Sequence, residues 1–184
     1  MAAPVLFAQS VSMAEPQPLG VVPSGSELQD TVRRRPRAVE VSDAYEMRLR
    51  IHRYGSYTMI PLFVAQSVAG NQLFQADKSG APRPGWAETV HQGGALGLGA
   101  LFTSNTVTGL WNLWDSRAAE QGRTKRLLHS ALMLASDAGF TYTGIKLSGD
   151  AKHSQVGRED HRRYAYYSMG ASLVGYGIML VGEH

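Results

Sequence analysis

The chain has 184 residues, no cysteine and a formal net charge of +3. Without cysteine, disulfide bonds, thiolate metal sites and C-x-x-C-H haem attachment are excluded. The lysines and arginines are scattered among apolar stretches and do not cluster with exposed aromatic residues, which argues against a nucleic-acid-binding protein. Charged residues make up 18 % of the chain, compared with about 25 % in typical soluble domains. This composition favours a membrane protein.

Residues 1–45 are rich in proline, serine, glutamate and glutamine, and they are predicted to form a polar, flexible and largely irregular N-terminal region. The first fourteen residues contain a short apolar stretch that ends in Ser12-Met13-Ala14. This end resembles a signal-peptide cleavage site, although the positively charged start of a signal peptide is missing. A residual signal segment over 1–14 and an uncleaved polar N-terminus therefore both stay open.

Four apolar segments of about 20 residues follow, each long enough to cross the hydrocarbon core of a bilayer. They are predicted as helices over about 54–74, 93–114, 127–147 and 164–181. Frequent glycine, alanine, serine and threonine would let membrane helices pack closely. The sequence therefore predicts an all-α integral membrane protein, a four-helix transmembrane bundle over 46–184. A soluble four-helix protein is the alternative, in which each glycine would cost up to about 1 kcal/mol.

The basic residues give this predicted bundle an orientation. Eleven lysines and arginines fall on the side of the N-terminal region and the 115–126 connector, and seven fall on the other side. The positive-inside rule then places both termini in the cytoplasm. The predicted location is the bacterial inner membrane, with membrane lipid as a partner.

Four histidines lie at or just before the start of the four segments: His52, His91, His129 and His161. Successive membrane helices run antiparallel, so the first and third histidines share one face of the bundle and the second and fourth share the other. Two histidines at the same depth on neighbouring helices can ligate one iron from both sides of a porphyrin. The pattern predicts two bis-histidine sites for non-covalent haem b, roughly 20 Å apart along the helices.

The surroundings of the histidines suit haem. Three arginines are candidate partners for the anionic propionates: Arg53, Arg126 and Arg162. Three glycines are candidates for close packing of a flat macrocycle against a helix: Gly70, Gly109 and Gly144. The spacing from His52 to Gly70 equals the spacing from His91 to Gly109.

One histidine per helix over four consecutive helices, paired first with third and second with fourth, resembles the core of the cytochrome b561 family. The resemblance covers about residues 48–182 and is one of pattern. It implies a di-haem membrane electron carrier in which His52, His91, His129 and His161 ligate iron. It also implies an electron-transfer oxidoreductase that relays electrons across the bilayer, with a quinol or a redox protein as partner. The flanking helices typical of the family are missing, and no ascorbate or quinone site is recognisable.

Two other classes of protein stay open. One is a haem-free accessory or scaffold subunit of a larger membrane complex. The other is a small proton- or solute-conducting protein built around Asp137, because a carboxylate inside a membrane segment commonly marks function. A structural Asp137, hydrogen-bonded to Gln66, Asn105 or Thr106, is equally compatible with the sequence. No motif of a hydrolase or a nucleotide-binding enzyme occurs.

Overall fold

The computed structural model describes residues 42–181, and almost all of them are helical. The elements are α1 (Asp43–Ser79), α2 (Gly85–Asp115), α3 (Arg123–Tyr142), a π-helical segment (Thr143–Leu147), α4 (Ser148–Ala151) and α5 (Gln155–Leu180). Four long helices agree with the sequence prediction, but each begins between four and eleven residues earlier than predicted. The predicted irregular region falls mainly on residues 1–41, outside the described residues.

Local sequence explains where the helices begin and end. The Ser42 side chain caps α1 by accepting a hydrogen bond from the Tyr45 N–H, and Ser154 caps α5 by accepting one from the Gly157 N–H. Helix α1 ends at Gly80, whose φ of 70° is a left-handed conformation that glycine adopts without strain. The turn after Gly80 then reverses the chain into α2.

The long helices pack mainly as two pairs, α1 with α2 and α3 with α5. The short connection between α1 and α2 makes this pair antiparallel. Their shared core contains Met59, Phe63, Leu98 and Phe102, and Phe140 of α3 stacks against both phenylalanines at centroid distances of 5.7 and 5.0 Å. This aromatic core joins the two helix pairs into one four-helix bundle.

The structure contradicts the predicted transmembrane bundle and the predicted integral membrane location. Within residues 42–181, no helix is both long and apolar enough to cross a membrane. The segments have few charged residues, but they are not strongly apolar. Amides, hydroxyls and glycines make up part of the interior and lower the hydropathy of each segment. Buried polar side chains include Gln66, Asn105, Asn112, Ser136, Thr143, Ser168 and Ser172. The prediction of lipid-spanning helices in a bacterial inner membrane is therefore wrong, and the positive-inside orientation loses its basis.

Candidate functional site

Two pairs of histidines lie side by side inside the bundle. The ring centroids of His52 and His129 are 6.1 Å apart, and those of His91 and His161 are 6.0 Å apart. The first pair joins α1 to α3 and the second joins α2 to α5, which is the pairing that the sequence predicts. All four histidines lie inside their helices, at least one full turn after the first residue, and not at the helix starts as predicted.

Backbone carbonyls of the antiparallel partner helix hold three of the four rings. The distances from Nδ1 to the carbonyl oxygen are 3.0 Å for His52 and Asn105, 2.8 Å for His129 and Gly175, and 3.2 Å for His161 and Thr143. Since a carbonyl oxygen only accepts, Nδ1 donates the ring proton and Nε2 keeps its lone pair. Metal-binding histidines are usually held in this way, with the other ring nitrogen on the metal.

The fourth ring, that of His91, is held differently. The Gln66 carbonyl lies close enough to raise the pKa of His91, although burial has the larger effect and lowers it. The buried Nδ1 of His91 nevertheless forms no hydrogen bond within the described part of the chain. His91 is therefore the least constrained ring of the four.

The separation within each pair fits a metal ion between the two rings. Two metal–imidazole bonds of about 2 Å, each followed by a ring radius of roughly 1 Å, place the centroids about 6 to 6.5 Å apart. Direct ring-to-ring hydrogen bonding would bring them closer, to about 5 Å, given a typical N···N distance near 3 Å. The angles between ring planes are 79° for the first pair and 66° for the second. Rotation about the metal–nitrogen axis leaves both angles compatible with axial ligation.

Burial keeps His52 and His161 in the form that binds metals. It lowers the pKa of His52 and of His161, more than the neighbouring carbonyls of Asn105 and Thr143 raise them. The charge of the paired histidine lowers both values further. Neutral imidazole is therefore favoured, and only neutral imidazole has a lone pair to give.

Two of the three glycines predicted to pack against a macrocycle lie against histidine rings instead. A Cβ atom on Gly109 would lie 2.9 Å from Cε1 of His52, and one on Gly70 would lie 3.2 Å from Cε1 of His91. Each glycine thus faces the histidine of the neighbouring helix. Gly144, the third glycine proposed for macrocycle packing, is exposed in the π-helical segment, and nothing lies within 4 Å of its Cβ position.

A cavity of about 380 Å³ opens beside the first pair, and its wall includes both His52 and His129. This volume falls in the usual range of ligand pockets, about 300–1,000 Å³. Two of the predicted propionate partners, Arg53 and Arg126, line the same cavity. The guanidinium nitrogens at the tip of Arg126 donate to backbone carbonyls, but its buried Nε has no partner among residues 42–181. That N–H is a donor suited to a carboxylate in the cavity.

The third predicted propionate partner, Arg162, follows His161 directly. Its guanidinium stacks over the rings of Phe74 and Tyr166 at 4.7 and 5.6 Å from their centroids. In cation–π contacts of this kind the face of the guanidinium lies on the ring, so the N–H groups at its edge can donate hydrogen bonds elsewhere. Arg162 thus holds a positive charge near the second pair.

A π-helical segment lies next to the second pair. It begins at Thr143, whose buried carbonyl accepts hydrogen bonds from the Ser148 N–H, five residues later, and from His161. Such segments are rare and often occur at functional sites. Sequence reasoning did not detect this feature, because no residue pattern distinguishes a single π turn from the α-helix around it.

The sequence analysis considers two buried amides, Gln66 and Asn105, only as possible partners of Asp137. Gln66 follows His52 on α1 at the same spacing at which Asn105 follows His91 on α2. The two side chains are 6 % and 3 % exposed. Aligning α1 with α2 on their histidines would have found them. The same alignment superimposes Phe63 on Phe102 and Gly70 on Gly109.

Asp137 lies between α2 and α3, where its Oδ2 accepts a hydrogen bond from the Thr106 hydroxyl. Its Oδ1 is buried and has no partner in the described residues. Burial raises the pKa of this carboxyl, and the bond from Thr106 lowers it less. Thr106 is one of the partners that the sequence predicts for a structural Asp137, and the geometry is that of such a residue.

The remaining histidines are not in the pairs. His153 is exposed after α4, and the partner of His91 is His161. His184 lies outside the described residues. Among residues 42–181, no group of three or more histidine, aspartate or glutamate side chains could hold a metal ion. The candidate sites are therefore two-ligand sites, which suit a metal that brings its own equatorial ligands.

Comparison with protein-family models, curated proteins and solved structures finds no match to this chain.

We expect the haem-free protein to lose stability in mild acid, because three of its histidines are partly buried. The folded pKa values of His52, His91 and His161 are lowered, so the unfolded chain takes up protons first as the pH falls below about 6.5. This contribution to stability is complete above that pH and is lost as the pH falls towards the folded pKa values. Urea unfolding of the haem-free protein between about pH 5 and pH 8 measures it. Stability that rises on acidification over this range would contradict the burial of neutral rings, and His52→Gln should flatten the profile.

The carboxyl of Asp137 has the opposite pH dependence. Its folded pKa is raised, so its contribution to stability is present below the ordinary value of 3.8 and is lost as the pH rises through the folded pKa. At pH 7, Asp137→Asn should therefore raise the free energy of unfolding by roughly 0.5–1 kcal/mol, a small gain because the side chain is only half-buried. Urea unfolding of both proteins at about pH 3.5 and about pH 7 tests this. A variant that is less stable at neutral pH would show that the charge of Asp137 has a favourable partner.

Proposed function

We propose that the protein binds two non-covalent haem b groups and passes single electrons between them, as a four-helix b-type cytochrome. The observation that carries the proposal is the pair of centroid distances, 6.1 Å for His52–His129 and 6.0 Å for His91–His161. The cytochrome b561-like pattern of the sequence supports the same function. The proposed electron transfer takes place within the bundle and does not require a bilayer.

The residues of the chain would each have a defined role at these sites. The carbonyls of Asn105 and Gly175 fix the tautomer and the orientation of His52 and His129. Arg126 would offer a propionate beside that pair its Nε–H, which has no partner among residues 42–181. Haem iron, when bound, supplies one-electron chemistry, and its potential is set by the axial ligands, their hydrogen bonds and burial.

The distance between the pairs follows from the antiparallel register of α1 and α2. The ring of His52 lies against Asn105 and Gly109 of α2, which come four to five helical turns after His91 on the same helix. A rise of about 1.5 Å per residue then separates the two sites by about 20–27 Å along the bundle. The phenylalanine core lies between them and excludes water from the space that an electron would cross.

A haem-free scaffold subunit explains these features less well. A scaffold needs packed helices, but it does not need two pairs of half-buried imidazoles, three of which have their Nδ1 atoms on backbone carbonyls. Buried polar groups lower stability unless they are well paired. The placement of two histidine pairs at opposite ends of one bundle therefore favours a ligand-binding role.

Haem stoichiometry tests the proposal directly. The protein is purified from a host supplied with haem, and haem is quantified per chain together with a reduced-minus-oxidised visible spectrum. Two haems per chain with the spectrum of six-coordinate, low-spin iron are expected. The haem-free protein, titrated with hemin, should take up the same two equivalents. A colourless protein that also fails to bind added hemin would overturn the proposal.

A further inference from the structure

We infer that Gln66 and Asn105 are positioning residues, each of which orients the ligand histidine of the neighbouring helix. The inference rests on the proposed haem-binding function. It assigns roles to two buried side-chain amides. Within the described residues, neither amide forms a hydrogen bond with His129, His161, Arg53 or Arg126.

Asn105 acts on the turn of α1 that carries His52. Its Nδ2 donates to Oγ of Ser56 at 3.2 Å, and the Ser56 hydroxyl donates to the carbonyl of His52 at 2.8 Å. The backbone carbonyl of Asn105 itself accepts the Nδ1–H of His52 at 3.0 Å. One residue of α2 therefore holds both the backbone and the ring of this histidine.

Gln66 acts on the turn of α2 that carries His91, through the backbone alone. Its Nε2 donates to the carbonyls of Val90 and His91, at 3.1 and 3.0 Å. The backbone carbonyl of Gln66 is the one that raises the pKa of His91. Because the Nδ1 of His91 has no hydrogen bond among the described residues, the two bonds from the Gln66 side chain are the polar contacts from α1 that fix the position of His91.

Each amide occupies a space left by a glycine that lies one helical turn after the histidine it holds. A Cβ atom on Gly94 would lie 2.0 Å from Nε2 of Gln66, and one on Gly55 would lie 2.4 Å from Oδ1 of Asn105. Any larger residue at these positions must displace the amide. The two arrangements are equivalent: when α1 is aligned with α2 on their histidines, Gly55 corresponds to Gly94 and Gln66 corresponds to Asn105.

This symmetry makes the inference specific. Gln66 bonds to the backbone of α2 at His91, and Asn105 bonds through Ser56 to the backbone of α1 at His52; among the described residues neither side chain forms a hydrogen bond at the other pair. A change at either amide should therefore alter one haem site and leave the other unchanged. A residue that merely stabilised the bundle would affect both sites together.

The experiment replaces each amide by an apolar residue of similar size, Gln66→Met and Asn105→Leu, in the haem-loaded protein. The two low-spin signals of the electron paramagnetic resonance spectrum and the two midpoint potentials are assigned to the sites with His52→Ala and His91→Ala. We expect Gln66→Met to shift only the signal and potential that His91→Ala removes. Asn105→Leu should shift only those that His52→Ala removes. Haem affinity at the altered site should fall by about 10-fold to 100-fold, as for other residues that support metal ligands.

Two glycine variants extend the test while both amide residues are kept: one displaces the Gln66 side chain and the other is its control. Gly94→Ala should reproduce the effect of Gln66→Met, because it displaces the Gln66 side chain. Gly97→Ala is the matched control on the same helix, since nothing lies within 4 Å of its Cβ position. It should leave both signals and both potentials unchanged.

The outcomes separate the inference from the proposed function. Wild-type protein that binds no haem would overturn both. Two bound haems, together with amide variants that shift both signals in proportion to lost thermal stability, or that shift neither, would overturn the inference alone.

Discussion

Alanine at His52 is expected to reduce the haem content from two groups per chain to one. His52 and His129 face each other at 6.1 Å, so on the proposed function removal of either ring would leave this site with one of its two ligands. His129→Ala should have the same effect, and the double variant should lose no more haem than each single variant. Haem quantification and the low-spin signals measure this result directly.

The complementary variant is His91→Ala, which should remove the other haem and retain the first. Hemin and imidazole added together should restore low-spin ligation in both single variants, because alanine leaves space for the imidazole. If His52→Ala retained two low-spin haems, or if His52→Ala and His91→Ala affected the same haem, the paired assignment would be wrong.

Alanine at Gly109 is expected to destabilise the site of His52 and His129. Its effect should be larger than that of alanine at Gly70, the glycine that faces His91. The Cβ on Gly109 would lie 2.9 Å from Cε1 of His52, and the hydrogen bond to the Asn105 carbonyl prevents the ring from moving away. We expect a loss of about 1–3 kcal/mol in the free energy of unfolding, typical of overpacking in a tight core. Release of the haem from the first site should accompany it, as measured by haem retention after urea unfolding and refolding.

Two glycines of the chain provide controls for Gly109. Gly70→Ala places its Cβ 3.2 Å from the ring of His91, which has no Nδ1 hydrogen bond among residues 42–181 and can yield by a few tenths of an ångström. Its effect should be smaller and confined to the second site. Gly99→Ala meets nothing within 4 Å and should stabilise α2 by about 0.5–1 kcal/mol. A Gly109→Ala variant as stable as Gly99→Ala would contradict the close contact with His52.

Some of this architecture is determined by the sequence alone. Four long, weakly charged segments separated by glycine, proline and charged residues predict four helices, and the one proline inside a segment, Pro61, lies within α1 without ending it. Antiparallel order then pairs His52 with His129 and His91 with His161, since alternate helices begin at the same end of a bundle. The equal spacing from histidine to glycine on α1 and α2 is visible in the sequence, and in the structure each of these glycines lies against the histidine of the neighbouring helix.

Other features were decided only by the tertiary structure. Low charge suggested membrane helices, but the interior is filled by polar side chains such as Gln66 and Ser136, whose partners across the helix interfaces no single segment reveals. The helices begin earlier than predicted because they continue into the charged residues around each apolar segment, such as Arg53 in α1 and Arg162 in α5, whose side chains are compatible with a helix surface.

The hydrogen bonds that hold the rings also depend on tertiary packing. The acceptors for His52 and His161 are backbone carbonyls of Asn105 and Thr143, and every residue has such a carbonyl. Sequence identifies the histidines because imidazole is chemically distinctive, and it fixes their pairing through helix order. Only the packing of α1 on α2 and of α3 on α5 selects which carbonyl faces which ring, because that choice depends on the register between helices.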